Sequence, residues 1–248
     1  MAWFEGVAEQ RQPQHRSGHW RRAWAVVTTL AISVTGVLAL GAPASASLGW
    51  PSAVTHPPTV SADALPTVQI NGVVWAQAIV GNTVYVGGSF TSARPAGSSS
   101  NQNNVARSNF LAYDLTTGQL RNDINLPANQ QVRVITPSPD GSRIYVGGDF
   151  TSFGNQTRNR FAVVDTATNT VVSGFAPNFG WHVHDIDVSG NTVYVGGNFS
   201  SVSGQTRQRL AALNASNGAL LSWAPSVPDR EVFALAVSPD GSQLAIGG

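Results

Sequence analysis

The stretch Ile144-Tyr-Val-Gly-Gly-Asp-Phe150 decides the fold, because the sequence returns to it at regular intervals. Similar stretches cover residues 84–90 and 193–199, and a shorter one, Leu244-Ala-Ile-Gly-Gly248, stands last. The first glycines of the four pairs are residues 87, 147, 196 and 247, so they are separated by 60, 49 and 51 residues. A repeat of about 50 residues is typical of folds in which similar units stack on one another.

The unequal separations come from two loops of variable length. From the second glycine of a pair, Asp114 is 26 residues away, whereas Asp165 and Asn214 are each 17 residues away. The first unit therefore carries a nine-residue insertion within residues 91–109. The turn Ser-Pro-Asp-Gly-Ser (138–142 and 238–242) is also longer than its counterpart at residues 189–191. Repeat separations that differ only because the turns differ in length are expected when strands are joined by exposed loops.

Each unit is predicted to contain four short strands. The first has the pattern Val-x-x-h-x-h, where h is apolar, the second is the Val-Tyr-Val-Gly-Gly run, and the third ends at the Asp or Asn. A short edge strand then ends near Ile124, Phe175 and Trp223. Four strands in about 50 residues match a β-propeller blade of kelch-like size. We therefore predict an all-β fold of propeller-type blades, about three complete and a partial fourth, over residues 73–248.

Two sets of repeated residues are predicted to be structural. A glycine pair lets strands bulge or approach closely where blades narrow toward the axis. An arginine seven residues before each Asp or Asn is expected to tie a loop to a neighbouring turn or carbonyl, since a catalytic residue would be unique rather than periodic. The two sets are Gly87, Gly88, Gly147, Gly148, Gly196, Gly197, Gly247 and Gly248, and Arg107, Arg158 and Arg207.

The repeat also carries a family resemblance. The phrase G-G-x-F-[TS]-S, then Arg, then [FL]-A-x-x-[DN] and a turn before x-[WF]-x-P resembles the delta-60 repeats of secreted actinobacterial β-propeller proteins. The resemblance covers about residues 73–248 and implies a propeller fold. It implies no catalytic residue set, and members of that family often sit beside polysaccharide-binding or adhesion-type modules.

Closed propellers usually need about four to eight blades. This chain has three complete units and the start of a fourth, which ends on Gly247 and Gly248 in the middle of a strand. We therefore expect an incomplete ring, truncated at its C-terminus, and further C-terminal modules in the native protein.

Residues 1–46 are predicted to be a signal peptide. A basic region ending in Arg21-Arg22 precedes an apolar run from about Ala23 to Leu40, and Pro43-Ala-Ser-Ala46 supplies the small residues of a cleavage site. The alternative is a membrane anchor, and the general secretory and twin-arginine routes both stay open. Residues 47–72, rich in Pro, Ser and Thr, are predicted to be a linker. The mature protein is expected to be secreted or extracellular, with no stable membrane insertion after cleavage.

Composition excludes several functions. The chain has no cysteine, so disulfides, thiolate metal sites and a catalytic thiol are excluded. Past residue 46, 10 Arg stand against 11 Asp plus Glu, which gives no basic face for nucleic acid. We predict no nucleic-acid partner, no cofactor and no metal, and no Walker-type, G-x-S-x-G or H-E-x-x-H motif occurs.

The densest polar cluster is Trp181-His-Val-His-Asp-Ile-Asp187 on the first strand of the third unit. Strand alternation places His182 and His184 on one face and Asp185 and Asp187 on the other. These four residues are the candidate binding site. Packing or channel lining is the alternative, because His184 aligns with Trp75, Arg133 and Phe233 in the other units.

Two functions are compatible with the sequence. The first is a secreted, non-enzymatic module that binds or scaffolds an extracellular glycan, such as cell-wall or environmental polysaccharide, or a protein. The second is a secreted polysaccharide hydrolase or lyase that uses the four candidate residues near the axis. The polar insertion Ser92–Asn109 could recognise a ligand or be a tolerated disordered loop.

Overall fold

The computed structural model describes residues 66–227 and 229–248. The predicted signal peptide and most of the predicted linker lie outside these residues. All regular structure in the described part of the chain is β, and no helix there is long and apolar enough to cross a membrane.

Nineteen short strands follow one another in the described residues. They are β1 (Gln69–Ile70), β2 (Val73–Val80), β3 (Thr83–Ser89), β4 (Ser92–Arg94), β5 (Val105–Ala106), β6 (Phe110–Asp114), β7 (Val132–Pro137), β8 (Arg143–Gly148), β9 (Ser152–Phe153), β10 (Gln156–Thr157), β11 (Phe161–Asp165), β12 (Thr170–Val171), β13 (Val183–Ser189), β14 (Thr192–Gly197), β15 (Ser201–Val202), β16 (Gln205–Thr206), β17 (Leu210–Asn214), β18 (Ala234–Val237) and β19 (Leu244–Gly247).

Four antiparallel sheets form the blades. Blade 1 has the strand order β2-β3-β6, blade 2 has β7-β8-β11-β12, blade 3 has β13-β14-β17 and blade 4 has β18-β19. The first strand of each blade is the innermost one and neighbours the first strand of the next blade. This arrangement confirms the predicted all-β fold of propeller-type blades, and the ring is not closed within the described residues.

The long strands lie within two residues of the positions that the repeat predicts, and blade 4 contains only the first two of them in the described residues. The third strands, β6, β11 and β17, coincide with the predicted positions. Blades 1, 2 and 3 each carry a small hairpin that the sequence did not reveal. It is formed by β4 and β5 in blade 1, by β9 and β10 in blade 2 and by β15 and β16 in blade 3. The last residues of the predicted linker form β1, which pairs with β4.

The fourth strand is shorter than predicted. Only blade 2 has one, β12, whereas blades 1 and 3 have single bridges, Tyr113–Leu120 and Leu213–Leu220. In each of the three blades, the edge ladder ends just before a residue that the repeated arginine contacts. Arg158 Nη2 lies 3.3 Å from the carbonyl oxygens of residues 172 and 173, and Arg207 Nη2 lies 2.7 Å from that of residue 221.

These arginines are buried with no carboxylate close enough for an ion pair among the described residues. Arg107 donates to the Ala106 carbonyl and to the Asn122 side chain, in the same arrangement as the other two. Burial lowers the pKa of Arg107 and of Arg158. In all three arginines the Nη atoms donate to nearby oxygens, whereas the buried Nε has no hydrogen-bond partner among the described residues.

Two of the three hydrophobic core clusters in the described residues lie between blades, and the third lies in blade 1. One cluster joins Tyr85 and Phe110 of blade 1 to Val132 and Phe150 of blade 2, and a second joins blade 2 to blade 3 in the same way. Each blade therefore depends on its neighbours for burial, as expected of a repeat protein.

The repeated tyrosine of the second strand joins blade 1 to blade 2 and blade 2 to blade 3. The Tyr85 hydroxyl donates to Asn169 Oδ1 at 3.1 Å, and the Tyr145 hydroxyl donates to the Ala215 carbonyl at 3.3 Å. Both acceptors lie in the turn that follows the third strand of the next blade. Both rings are fully buried, whereas Tyr194 is half-buried because blade 4 has no third strand in the described residues.

The turns of the repeat are fixed by carboxylates. Asp140 Oδ1 accepts hydrogen bonds from the Ser138 hydroxyl and from the Ser142 backbone N–H. Asp240 makes the equivalent contacts with Ser238 and Ser242. Hydrogen bonds from the serine hydroxyls, together with those from the backbone, lower the pKa of each carboxyl to about 2.

We expect these turns to make the fold sensitive to acid. A carboxyl whose pKa is about 2 in the folded protein and about 4 in the unfolded chain contributes stability above pH 4 that is lost as the pH falls toward 2. The melting temperature should therefore decline between pH 4 and pH 2, and this decline should be shallower in the double variant Asp140→Asn/Asp240→Asn. An equal decline in the variant and in the native chain would contradict the assignment.

Candidate functional site

A β-bulge interrupts the innermost strand at the same repeat position in blades 1, 2 and 3. The register with the second strand shifts between Val74 and Ala76, between 132 and 134, and between 183 and 185. The residues inside the three bulges are Trp75, Arg133 and His184. A bulge inserts an unpaired residue and re-aims its side chain, and bulges are common beside functional sites.

The bulge residues line a common pocket. Trp75, Arg133 and His184 surround it together with Phe233, the corresponding residue of blade 4, and its volume is about 200 Å³. We call it the axial pocket, because each blade contributes one innermost residue to it. Trp75 and Phe233 are 57% and 58% exposed, so two aromatic rings face solvent at its edge.

A network of polar side chains, which we call the collar, supports the axial pocket. Its members are Gln131, Asp149, His182, Asn198 and Glu231. Three of them, Gln131, His182 and Glu231, stand two residues before a residue that lines the axial pocket. The other two, Asp149 and Asn198, each follow a glycine pair.

Asp149 is the centre of the collar. Its buried carboxylate accepts two hydrogen bonds from Arg133, at 2.7 and 2.9 Å, and one from Gln131. His182 Nδ1 lies 2.5 Å from the same carboxylate, in a direction that does not fit a hydrogen bond. Burial alone raises the pKa of Asp149, yet the hydrogen bonds from Arg133 and Gln131 and the positive charge of Arg133 outweigh it and hold the pKa below its ordinary value.

The second half of the collar connects blades 3 and 4. His184 Nε2 lies 2.9 Å from Glu231 Oε2, and Asn198 Nδ2 donates to Glu231 Oε1 at 2.6 Å. Burial lowers the pKa of His184, and the contact with Glu231 only partly offsets this effect. The imidazole also packs on the Phe233 ring, with 4.9 Å between the ring centroids.

Asp185 and Asp187 bind the backbone of the next blade. The Leu235 N–H donates to Asp185 Oδ2 at 2.6 Å, and the Val237 N–H donates to Asp187 Oδ2 at 2.7 Å. Burial raises the pKa of Asp185, and hydrogen bonds from Leu235 and Ile186 oppose it. Both carboxylates therefore hold β13 to β18.

The four candidate residues thus separate into two groups. His182 and His184 belong to the collar and the axial pocket, while Asp185 and Asp187 bridge two innermost strands. Sequence reasoning aligned Trp75, Arg133 and Phe233 with His184 but assigned no common function to them. It missed Asp149 and Glu231 as partners of the two histidines, although their repeat positions were a usable signal.

Other sites have less support. No group of three or more His, Cys, Asp and Glu side chains in the described residues could hold a metal ion. The predicted insertion Ser92–Asn109 contains β4, β5 and the loop that joins them, and none of its residues lines the axial pocket.

The sequence matches the family model described as the Rax2 C-terminal beta propeller domain over residues 110–248. Among solved structures, the computationally designed Ika4 protein is 14% identical with a TM-score of 0.46, and the match covers 76% of this chain and 98% of Ika4. The WD40 beta propeller domain of Doa1 is 14% identical with a TM-score of 0.48, over 71% of this chain and 48% of that one. The RRP9 WD40 repeats are 9% identical with a TM-score of 0.46, and the match covers 69% of this chain and 46% of that one. This chain spans about half the length of the two WD40 chains. No curated protein matches it.

Proposed function

Because the chain belongs to the family of the Rax2 C-terminal beta propeller domain, we propose that it is a secreted, non-enzymatic module that binds or scaffolds an extracellular polysaccharide or protein. A propeller domain is in general a binding or scaffolding module. Secretion, the extracellular ligand and membership of the delta-60 repeats are inferences from the sequence of the leader and of the repeat.

The observation that supports this proposal most strongly is that the two carboxylates near the axis are both held by hydrogen bonds from neighbouring side chains. Asp149 is held by Arg133 and Gln131, and Glu231 by Asn198 and His184. The Asp149 contacts lie within blade 2 and the Glu231 contacts connect blades 3 and 4, and both sets fix side chains that surround the axial pocket. A rigid and prearranged surface of this kind suits binding, because little conformational entropy is lost when a ligand is bound.

The alternative is a polysaccharide hydrolase or lyase with Asp185 or Asp187 as the acid. A raised pKa, as Asp185 has, is a property of general acids. Each of these carboxylates nevertheless accepts two backbone hydrogen bonds. One comes from the N–H of the next residue in the chain, and the other comes from an N–H of β18. Such contacts support a structural role, and we therefore propose a binding function.

Two measurements test the proposal. The full chain, expressed in a secretion-competent bacterial host, is expected in the culture medium with Ser47 as its N-terminus, which mass spectrometry would show. The secreted protein is then incubated with cellohexaose, chitohexaose and laminarihexaose, and the products are separated by chromatography. We expect no shortened product. Shortened or unsaturated products that vanish in Asp185→Asn would replace the binding proposal with the enzyme.

A further inference from the structure

We infer that the axial pocket is a carbohydrate subsite that takes one hexopyranose ring of a neutral glycan, with Trp75 and Phe233 as its stacking surfaces. This inference rests on the proposed binding function and names the ligand and the residues that would recognise it. It is supported by the residues that line the pocket, by the bulges that place three of them there and by the hydrogen bonds of their polar groups.

The pocket combines two kinds of surface that a sugar ring needs. A pyranose has flat faces of C–H groups and a rim of hydroxyls. The Trp75 and Phe233 rings are more than half exposed and can pack against those faces, whereas buried core rings such as Phe161 cannot. The volume of about 200 Å³ suits one ring rather than an extended chain, so the rest of a glycan would project into solvent.

Hydrogen-bonding groups surround these aromatic rings. Arg133 uses Nε and Nη2 for Asp149, which leaves Nη1 free of described hydrogen bonds, and its side chain is 34% exposed. Glu231, whose side chain is 38% exposed, supplies acceptor oxygens beside the pocket. Donors and acceptors side by side fit hydroxyl groups, which need both.

The charge of the site favours a neutral ligand. The cation Arg133 is already paired with Asp149, and His184 faces the carboxylate of Glu231. An anionic sugar would meet Glu231 and Asp149 without an unpaired cation to compensate. A neutral hexose would not incur this electrostatic cost.

The aromatic rings are held in place before any ligand arrives. The Trp75 indole N–H donates to Gln131 Oε1 at 3.1 Å, and Gln131 in turn donates to Asp149. Phe233 packs on His184, which Glu231 holds. Collar residues therefore orient both aromatic walls, and a bulge turns Trp75 out of its ladder toward the axis.

The test measures binding of cellohexaose, chitohexaose and laminarihexaose to the full chain by titration calorimetry and by saturation-transfer NMR. We expect at least one of them to bind, with magnetisation transferred to the ring C–H protons of the sugar. Trp75→Ala and Phe233→Ala should each weaken binding by about tenfold or more. Trp223→Ala removes an exposed tryptophan that does not line the pocket, and it should leave the affinity unchanged.

The outcomes separate this inference from the proposed function. Binding that survives in both Trp75→Ala and Phe233→Ala would overturn the axial subsite while leaving a glycan-binding module. Failure of all three oligosaccharides to bind the native chain would overturn the neutral-glycan assignment, and a protein ligand would remain for the module. Circular dichroism of each variant checks that its fold is retained.

Discussion

Replacing Gly147 by alanine is expected to lower the free energy of unfolding by about 2 kcal/mol. A Cβ on Gly147 would lie 2.5 Å from Val183 Cγ1, 2.7 Å from Val134 Cγ1 and 3.0 Å from Ile186 Cδ1. Val183 and Ile186 belong to the next blade, so the added methyl would push blades 2 and 3 apart. Both of their side chains are buried and cannot move aside without disturbing the core.

The chain contains a matched control for this change. Gly247 has the same repeat position in blade 4, but a Cβ there would meet only Ala234 Cβ, at 3.7 Å, which is an ordinary contact. Gly247→Ala should therefore leave the stability of the protein nearly unchanged. Urea denaturation of the native chain and of both variants gives the comparison. Equal stability of the two variants would show that the glycine is not required for blade packing.

Replacing Asp149 by alanine is expected to cost about 2–3 kcal/mol of unfolding free energy. The side chain is 6% exposed and accepts three hydrogen bonds from Arg133 and Gln131, so its removal leaves those donors without partners. The cost lies below that of a fully buried pair, because the Arg133 side chain is 34% exposed and can reach water.

Two further variants serve as controls for the stability of Asp149→Ala. Asp123 forms a pair with Arg121 at 2.6 Å, but the two side chains are 57% and 31% exposed. Asp123→Ala should therefore cost about 1 kcal/mol or less. In the double variant Arg133→Met/Asp149→Leu no charge is left unpaired, and much of the lost stability should return. If Asp149→Ala were no worse than Asp123→Ala, the collar would not be a stabilising network.

The second glycine of each pair shows why the repeat tolerates no side chain there. A Cβ on Gly148 would lie 2.3 Å from the Gln131 carbonyl oxygen, and one on Gly197 would lie 2.1 Å from that of His182. The first glycine of a pair thus makes room for the next blade, while the second makes room for the backbone of its own innermost strand. The sequence predicted close approach at these pairs, and the structure assigns a different neighbour to each member.

The blade architecture could be predicted from the sequence because it rests on local, repeated signals. Alternating apolar residues, glycine pairs and turn residues recur at fixed spacing, and each fixes a strand or a turn by nearby contacts. The strands β6, β11 and β17 accordingly lie where the repeat places them. The small hairpins escaped prediction and the fourth strand is shorter than predicted, since each is a ladder of only one or two residue pairs, too short to leave an alternating pattern in the sequence.

The site depended on the tertiary structure. In sequence, Trp75, Arg133, His184 and Phe233 occupy equivalent positions about 50 residues apart, and nothing local shows that they meet. The four residues line one pocket because a bulge turns each of the first three out of its ladder and because the innermost strands of the blades lie side by side. The sequence by itself determined the blades, whereas the bulges and the packing of blade against blade decided which side chains share the axis.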